Sequence, residues 1–185
     1  MRSYFKNLEC TYCNEIFSAD QPRRLCEKCG KVLYPRYDMK EASKYFTKDL
    51  LSARPPNMWR YFEMLPVYDE SNIVTLGEGF TPIFETRRLG SELGSESLML
   101  KDEGLNPTAS FKARGLSAAV SKAKELGLRK LTMPSAGNAA GAMASYAARA
   151  GIEAFVFMPQ DAPEANQKEV SVPGGNLFLI DGLIS

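Results

Sequence analysis

From residue 96 onward the apolar positions change period in a regular way. "SLMLKDE" (97–103) is a short apolar run and reads as a buried strand. "SFKARGLSAAVSKAKELG" (110–127) puts Leu116, Ala119, Val120, Ala123 and Leu126 at helical spacing, with Gly127 where a helix end favours glycine. "RKLTMPS" (129–135) predicts a strand, and "NAAGAMASYAARAG" (138–151) predicts an Ala-rich helix again ended by glycine. "EAFVFMP" (153–159) is a nearly continuous apolar strand. "DAPEANQKEV" (161–170) predicts a helix opened by Asp161 and Glu164 at capping-box spacing, and "NLFLIDG" (176–182) a last strand. Such alternation with short loops predicts βαβ units: an α/β fold with a parallel sheet covered on both faces, three layers in all. Ligands of such sheets sit at the C-terminal strand ends, where loops lead into helices.

Upstream the pattern is irregular. Pro55, Pro56 and Pro66 break any long helix in 39–72, and Trp59, Tyr61, Phe62 and Met64 read as anchors that pack on the following domain. In "VTLGEGFTPIFE" (74–85), Gly77, Gly79 and Pro82 suggest a turn between two short extended pieces. Three units are expected: 1–38, 39–95 as a connector and first part of the main domain, and 96–185.

Composition narrows the function. The chain has 185 residues, 44% apolar and 24% charged, with a net charge of +1, so acids and bases are mixed. That argues against a strongly electrostatic nucleic-acid or membrane-surface binder. No apolar run approaches the roughly 18 residues a bilayer span needs, and the N-terminus lacks a signal-peptide core. The cytoplasm is the expected location. Histidine is absent, which excludes Ser-His and Cys-His nucleophile pairs and His ligands within this chain.

The four cysteines are Cys10, Cys13, Cys26 and Cys29, spaced C-x2-C-x12-C-x2-C. Two close pairs can offer four thiolates in a tetrahedron, the arrangement of structural zinc. Iron in a rubredoxin-like site and a pair of disulfides are the other readings; a reducing cytoplasm disfavours the latter. Four protein ligands leave no open position, so a metal here is structural, and 1–38 reads as a zinc ribbon.

Two loops carry further chemistry. "NPTASFKARG" (106–115) puts Lys112 at the start of a helix, where peptide dipoles already present positive charge. Partial burial there favours a neutral amine, the form that Schiff-base chemistry needs, although most lysines are simply solvated. "PSAGNAAGA" (134–142) leaves backbone N–H groups open just before a helix. It suits a carboxylate or phosphate, or serves only as a cap.

"LGEGFTP" (76–82), "KDEGLNPTASFKARG" (101–115) and "PSAGNAAGAMASYAARAGI" (134–152) occur in an order and spacing that resemble the threonine synthases. These are pyridoxal-phosphate (PLP) enzymes of the tryptophan synthase β-like fold, and some members carry an N-terminal cysteine-rich ribbon. The resemblance covers about residues 74–160. It implies that Lys112 forms the internal aldimine with PLP and shuttles protons, and that Asn138 hydrogen-bonds the PLP 3′-oxygen. Ser135, Gly137 and Ala139 would line the loop that takes the substrate carboxylate. Phe111 and Ser110 would shape the lysine turn, Phe111 beside the cofactor and Ser110 beside the substrate. The implied reaction converts O-phosphohomoserine and water to threonine and phosphate. Alternatives are a cysteate synthase-like or serine/threonine dehydratase-like PLP enzyme, or a non-catalytic zinc-ribbon plus α/β interaction module.

Three departures stand out. Ala109 and Ala113 replace the family's Gly and Asp around the lysine, and Ala136 replaces a hydroxyl residue. The family's enzymes are also about twice as long, with a glycine-rich phosphate loop that "VPGGNLFLIDG" does not match. The chain therefore reads as truncated, with the second lobe absent. Alone it is expected to bind PLP weakly, or to swap and form a homodimer that covers its open sheet edge.

Overall fold

The computed structural model describes residues 1–183. Ile184 and Ser185, the end of the expected 96–185 unit, lie outside them. The N-terminal unit is an antiparallel sheet of β1 (Phe5–Cys10), β2 (Ile16–Phe17) and β3 (Leu33–Tyr37), ordered β2-β1-β3. Two short helices follow, α1 (Met39–Tyr45), capped by Asp38, and α2 (Lys48–Ser52), capped by Thr47. Next comes a 3-10 segment, Met58–Met64, that buries Trp59 and Phe62. Of the four expected anchors these two are buried, whereas Tyr61 is exposed.

β4 (Ile83–Glu85), α3 (Arg87–Glu92) and β5 (Met99–Lys101) come next, and β4 pairs with β5 antiparallel. This corrects the expectation for 97–103. The strand is three residues long, all exposed, and belongs to a separate two-stranded sheet. A short apolar run does not encode its partner, and here the nearest partner in sequence wins. The hairpin also crosses the expected boundary at 95/96.

The parallel sheet is built from β6 (Lys130–Pro134), β7 (Glu153–Pro159) and β8 (Asn176–Ile180), in that order. Helices α4 (Lys112–Glu125), α5 (Asn138–Ala150) and α6 (Glu164–Ser171) pack side by side, α5 in the middle. Glycines in the left-handed conformation follow α4 (Gly127, φ +72°) and α5 (Gly151, φ +67°), as the sequence predicts. The α6 start differs: the helix opens at Glu164 behind Pro163 with no side-chain cap, so Asp161 and Glu164 form no capping box. Proline at that position sets the entry geometry without one.

Strand alternation puts Ala154, Val156 and Met158 on the helix side, buried with Val120, Met143, Tyr146 and Val170. The other face carries Phe155, Phe157 and Phe178 in a stack, with Phe157 39% and Phe178 46% exposed. Among the described residues the three helices therefore cover one face of the sheet, and the second helix layer expected from the sequence is not present.

The lobe is tied to the upstream segments by one buried carboxylate. Glu78 is fully buried in the turn between Gly77 and Gly79. It accepts hydrogen bonds from Trp59 Nε1 (2.9 Å), Ser117 Oγ of α4 (2.5 Å), Tyr146 Oη of α5 (2.6 Å), Thr75 Oγ1 (3.1 Å) and Leu76 N (3.0 Å). Gly79 beside it has φ +95°, and a Cβ there would lie 2.6 Å from Met58 N, so glycine is required. Burial pushes the Glu78 carboxyl up, but the Ser117 and Tyr146 donors outweigh it and hold it below its ordinary value of 4.5.

Replacing Glu78 with Gln turns an NH2 group towards these donors. Glu78→Gln is expected to destabilise the protein by about 2–4 kcal/mol. Urea unfolding followed by Trp59 fluorescence reads this directly, and an unchanged midpoint would refute it. A depressed carboxyl stabilises above its unfolded value and loses that contribution as pH falls through its folded value. The parent should therefore lose stability below about pH 4.5 more steeply than the variant.

Candidate active site

Lys112 is the first residue of α4 and is half-buried. Its loop is positioned by Asn106, which is buried. The Asn106 side chain accepts from Gly79 N (3.0 Å) and donates to the Glu103 carbonyl (2.8 Å) and carboxylate (3.0 Å). Glu103 in turn holds Arg114, in the first turn of α4, with Nε and Nη2 at 2.6 and 2.8 Å. The Arg114 guanidinium keeps the Glu103 carboxyl well below the usual carboxylate range. The GEG turn, the Asn106 loop and the first turn of α4 thus form one hydrogen-bonded unit.

Ser110 is buried, and its Oγ accepts from Lys112 N (3.3 Å), serving a free N–H of the first turn. Phe111 is exposed, and Lys112 Nζ rests 3.6 Å from the centre of its ring.

α4 packs against α5, and the loop before α4 meets α5 across a cleft: Pro107, Thr108 and Ala109 line about 250 Å³ together with Gly141 and Ser145 of α5 and Glu169 of α6. The α5 N-terminus has no side-chain cap. Ser135 Oγ accepts weakly from Gly137 N (3.4 Å), Asn138 opens the helix with its side chain exposed, and Ala139 follows in the first turn. Asn166 of α6 braces this loop by donating to the Ala136 carbonyl (3.3 Å). An uncapped first turn of a helix leaves backbone N–H groups that favour an anion. Thr108 Oγ1 is buried in the lysine loop without a partner.

The four cysteine sulfurs converge in the N-terminal sheet. Cys10 and Cys29 are 3.4 Å apart, Cys13 and Cys26 3.6 Å apart, and all four lie within 4.8 Å of one another. Burial pushes the Cys10 thiol up, yet N–H donors from Cys13 and Tyr12 bring it down to about 6. At Cys29 the Lys31 N–H lowers the value, but burial and the neighbouring sulfurs outweigh it and push the thiol up to about 12.

Sequence reasoning missed Glu78, Asn106 and Glu103. Glu78 falls in an expected turn and Glu103 at the end of an expected strand, and a single carboxylate at either place shows no period. The residue types could have hinted at more: asparagine between Leu105 and Pro107 is a frequent loop anchor through its side chain.

This is a parallel α/β lobe of the class found in PLP-dependent racemases and deaminases. A PLP-dependent aspartate racemase superposes with a TM-score of 0.52 at 30% identity, over 55% of this chain and 32% of that one. The processed threonine deaminase isoform 2 of Solanum lycopersicum gives 0.51 at 27%, over 56% and 29%. The family model described as pyridoxal-phosphate dependent enzyme matches residues 74–184. The chain belongs to that family. Among curated relatives, a threonine synthase of Methanocaldococcus jannaschii is 40% identical over 151 residues, and one of Methanosarcina acetivorans 39% over 153. These matches cover 82% and 83% of this chain, which spans 37% of each relative's length.

Two departures from the family pattern have a physical reading here. Ala113 is fully buried in the core, a position where a carboxylate would lack solvent. Ala109 holds φ +51°, the left-handed region that glycine tolerates and alanine does not. Ala109→Gly is expected to stabilise the chain by about 0.5–1 kcal/mol, relief of strain exceeding the added chain entropy. A lower urea midpoint in the variant would contradict the strained conformation.

Proposed function

We propose that this chain carries the lysine-bearing part of a PLP-dependent threonine synthase acting on O-phosphohomoserine. The observations that support it most are the lysine at the first position of α4 and the cleft that the loop before it shares with α5, whose first turn carries no side-chain cap. The curated relatives named threonine synthase agree with it. The residues fit the cofactor: Lys112 would hold it covalently, Asn138 would hydrogen-bond its ring oxygen, and Phe111 would flank it. When bound, PLP supplies an electron sink for the amino-acid substrate.

The chain's own groups supply the rest. Ser135 Oγ and the N–H groups of Gly137 and Ala139 hold the substrate carboxylate, and the α5 dipole favours its charge. Ser110 holds the first turn of α4 so that the Lys112 amine is aimed consistently. That amine takes a proton from the substrate α-carbon and returns one. The expected division into 1–38, 39–95 and 96–185 serves as the working map, with the lysine in the last unit. Cytoplasmic location supplies the reducing surroundings that free thiols need.

For the N-terminal unit, Cys10, Cys13, Cys26 and Cys29 hold one structural zinc ion. Tetrahedral zinc–thiolate geometry puts sulfurs about 3.8 Å apart, close to the 3.4 and 3.6 Å seen here.

Reduction of the PLP-treated chain with borohydride, followed by peptide mass spectrometry, should place the adduct at Lys112 in preference to the other lysines. Scattered labelling would sink the assignment. Phosphate release from O-phosphohomoserine separates this reading from a dehydratase, which would release ammonia from threonine. For the metal, elemental analysis should give about one zinc per chain, lost in Cys13→Ser while the α/β lobe stays folded. Iron with a red absorbance would select the rubredoxin-like reading instead.

A further inference from the structure

A second cavity, of about 680 Å³, opens between the Met58–Met64 segment, the turn that follows Glu78, and the β4–β5 hairpin. Neither Lys112 nor Asn138 lines it. Its wall carries three cations, Arg60, Lys101 and Arg114, against a single carboxylate, Glu103. Arg114 spends two nitrogens on Glu103, and Lys101 Nζ donates to the Thr81 carbonyl at 2.8 Å. Arg60 is committed less: Nη2 donates to the Leu51 carbonyl, while Nε is buried without a partner.

The aromatic side of the cavity is as unusual. Phe80 has φ +52° and is 64% exposed. A bulky side chain in the left-handed region is a genuine outlier, and an exposed one gains no burial to offset the strain. Its ring lies 5.4 Å from the Arg60 guanidinium, and the Tyr61 ring lies 6.0 Å from it on the same wall. The guanidinium thus lies over the aromatic wall, held among the described residues by the one hydrogen bond from Nη2. Guanidinium favours carboxylate and phosphate oxygens, and aromatic rings favour flat partners. The volume falls in the range of small-molecule sites.

We propose that this cavity binds a small organic anion with a flat ring, its ring on Phe80 and its carboxylate or phosphate on Arg60. The site stands apart from the chemistry at Lys112. Phenyl phosphate and benzoate test it, with inorganic phosphate and benzyl alcohol as comparisons. Binding to the full chain is read by calorimetry and by fluorescence of Trp59, the single tryptophan and the neighbour of Arg60 in sequence.

One or both aryl anions should saturate with Kd below about 1 mM, and the tighter of the two identifies the head group. Benzyl alcohol should not bind, and inorganic phosphate should bind at least about tenfold more weakly than phenyl phosphate. Phe80→Asn keeps a residue that tolerates the left-handed region, so the fold should persist while aryl-anion affinity falls at least about tenfold. Arg60→Lys should cause a similar loss, and Lys112→Ala none. No saturation by about 10 mM, equal binding of the neutral alcohol, or parent-like affinity in both cavity variants overturns the proposal.

Discussion

One buried carboxylate sets the geometry of the lobe. Glu78 is a charge taken out of water, which by itself costs several kcal/mol. The other buried carboxylate, Glu63, is matched by a cation, Arg54. Glu78 is matched by neutral donors instead, and they come from the 3-10 segment, from α4 and from α5. Burial and the Glu78 charge push the Tyr146 hydroxyl well above its ordinary range, so it remains a donor wherever the protein is folded. Because a half-satisfied network costs more than an apolar core, these three elements must arrive together or not at all.

That constraint reaches the candidate site through α4. The helix is held at three levels along its axis. Near its start Arg114 meets Glu103, in its middle Ser117 meets Glu78, and at its end Glu125 accepts from Tyr68 N (2.7 Å) and Asp69 N (2.9 Å). Lys122 pairs with Glu125 and lies 4.2 Å from the Tyr68 ring, so the same end also meets the segment that follows the ribbon. A lysine at the first position of so constrained a helix has a fixed backbone, with its amine over the Phe111 ring. That combination suits a group that must hold a cofactor and still move a proton.

How legible this was depended on the kind of order involved. The run from β6 to β8 was readable because each element has its own period and a glycine or proline at its edge. The pairing of β5 was not, since three exposed residues carry no mark of which sheet they join. The positions of Lys112 and the α5 N-terminus followed from helix boundaries, which sequence encodes locally. Asn106, Glu78 and Glu103 bind partners up to 68 residues away, and no local pattern announces such a distance. The Asp161–Glu164 spacing shows the opposite failure: the local pattern was present, and Pro163 started the helix without it.

The alanine departures follow from the same packing. Ala113 points into the core shared with Val120, Ala140 and Val156, where the helices approach closely and a small residue is what fits. One residue on, the Arg114 guanidinium finds its carboxylate outside the helix, in Glu103. Ala109 shows that the loop geometry outranks the residue. The chain accepts a left-handed alanine because Ala109 N donates to the Asn106 carbonyl at 2.8 Å, and Asn106 is already fixed by Gly79 and Glu103. Strain kept at such a position is maintained by the surrounding hydrogen bonds, and here those bonds lead back to the turn that carries Glu78.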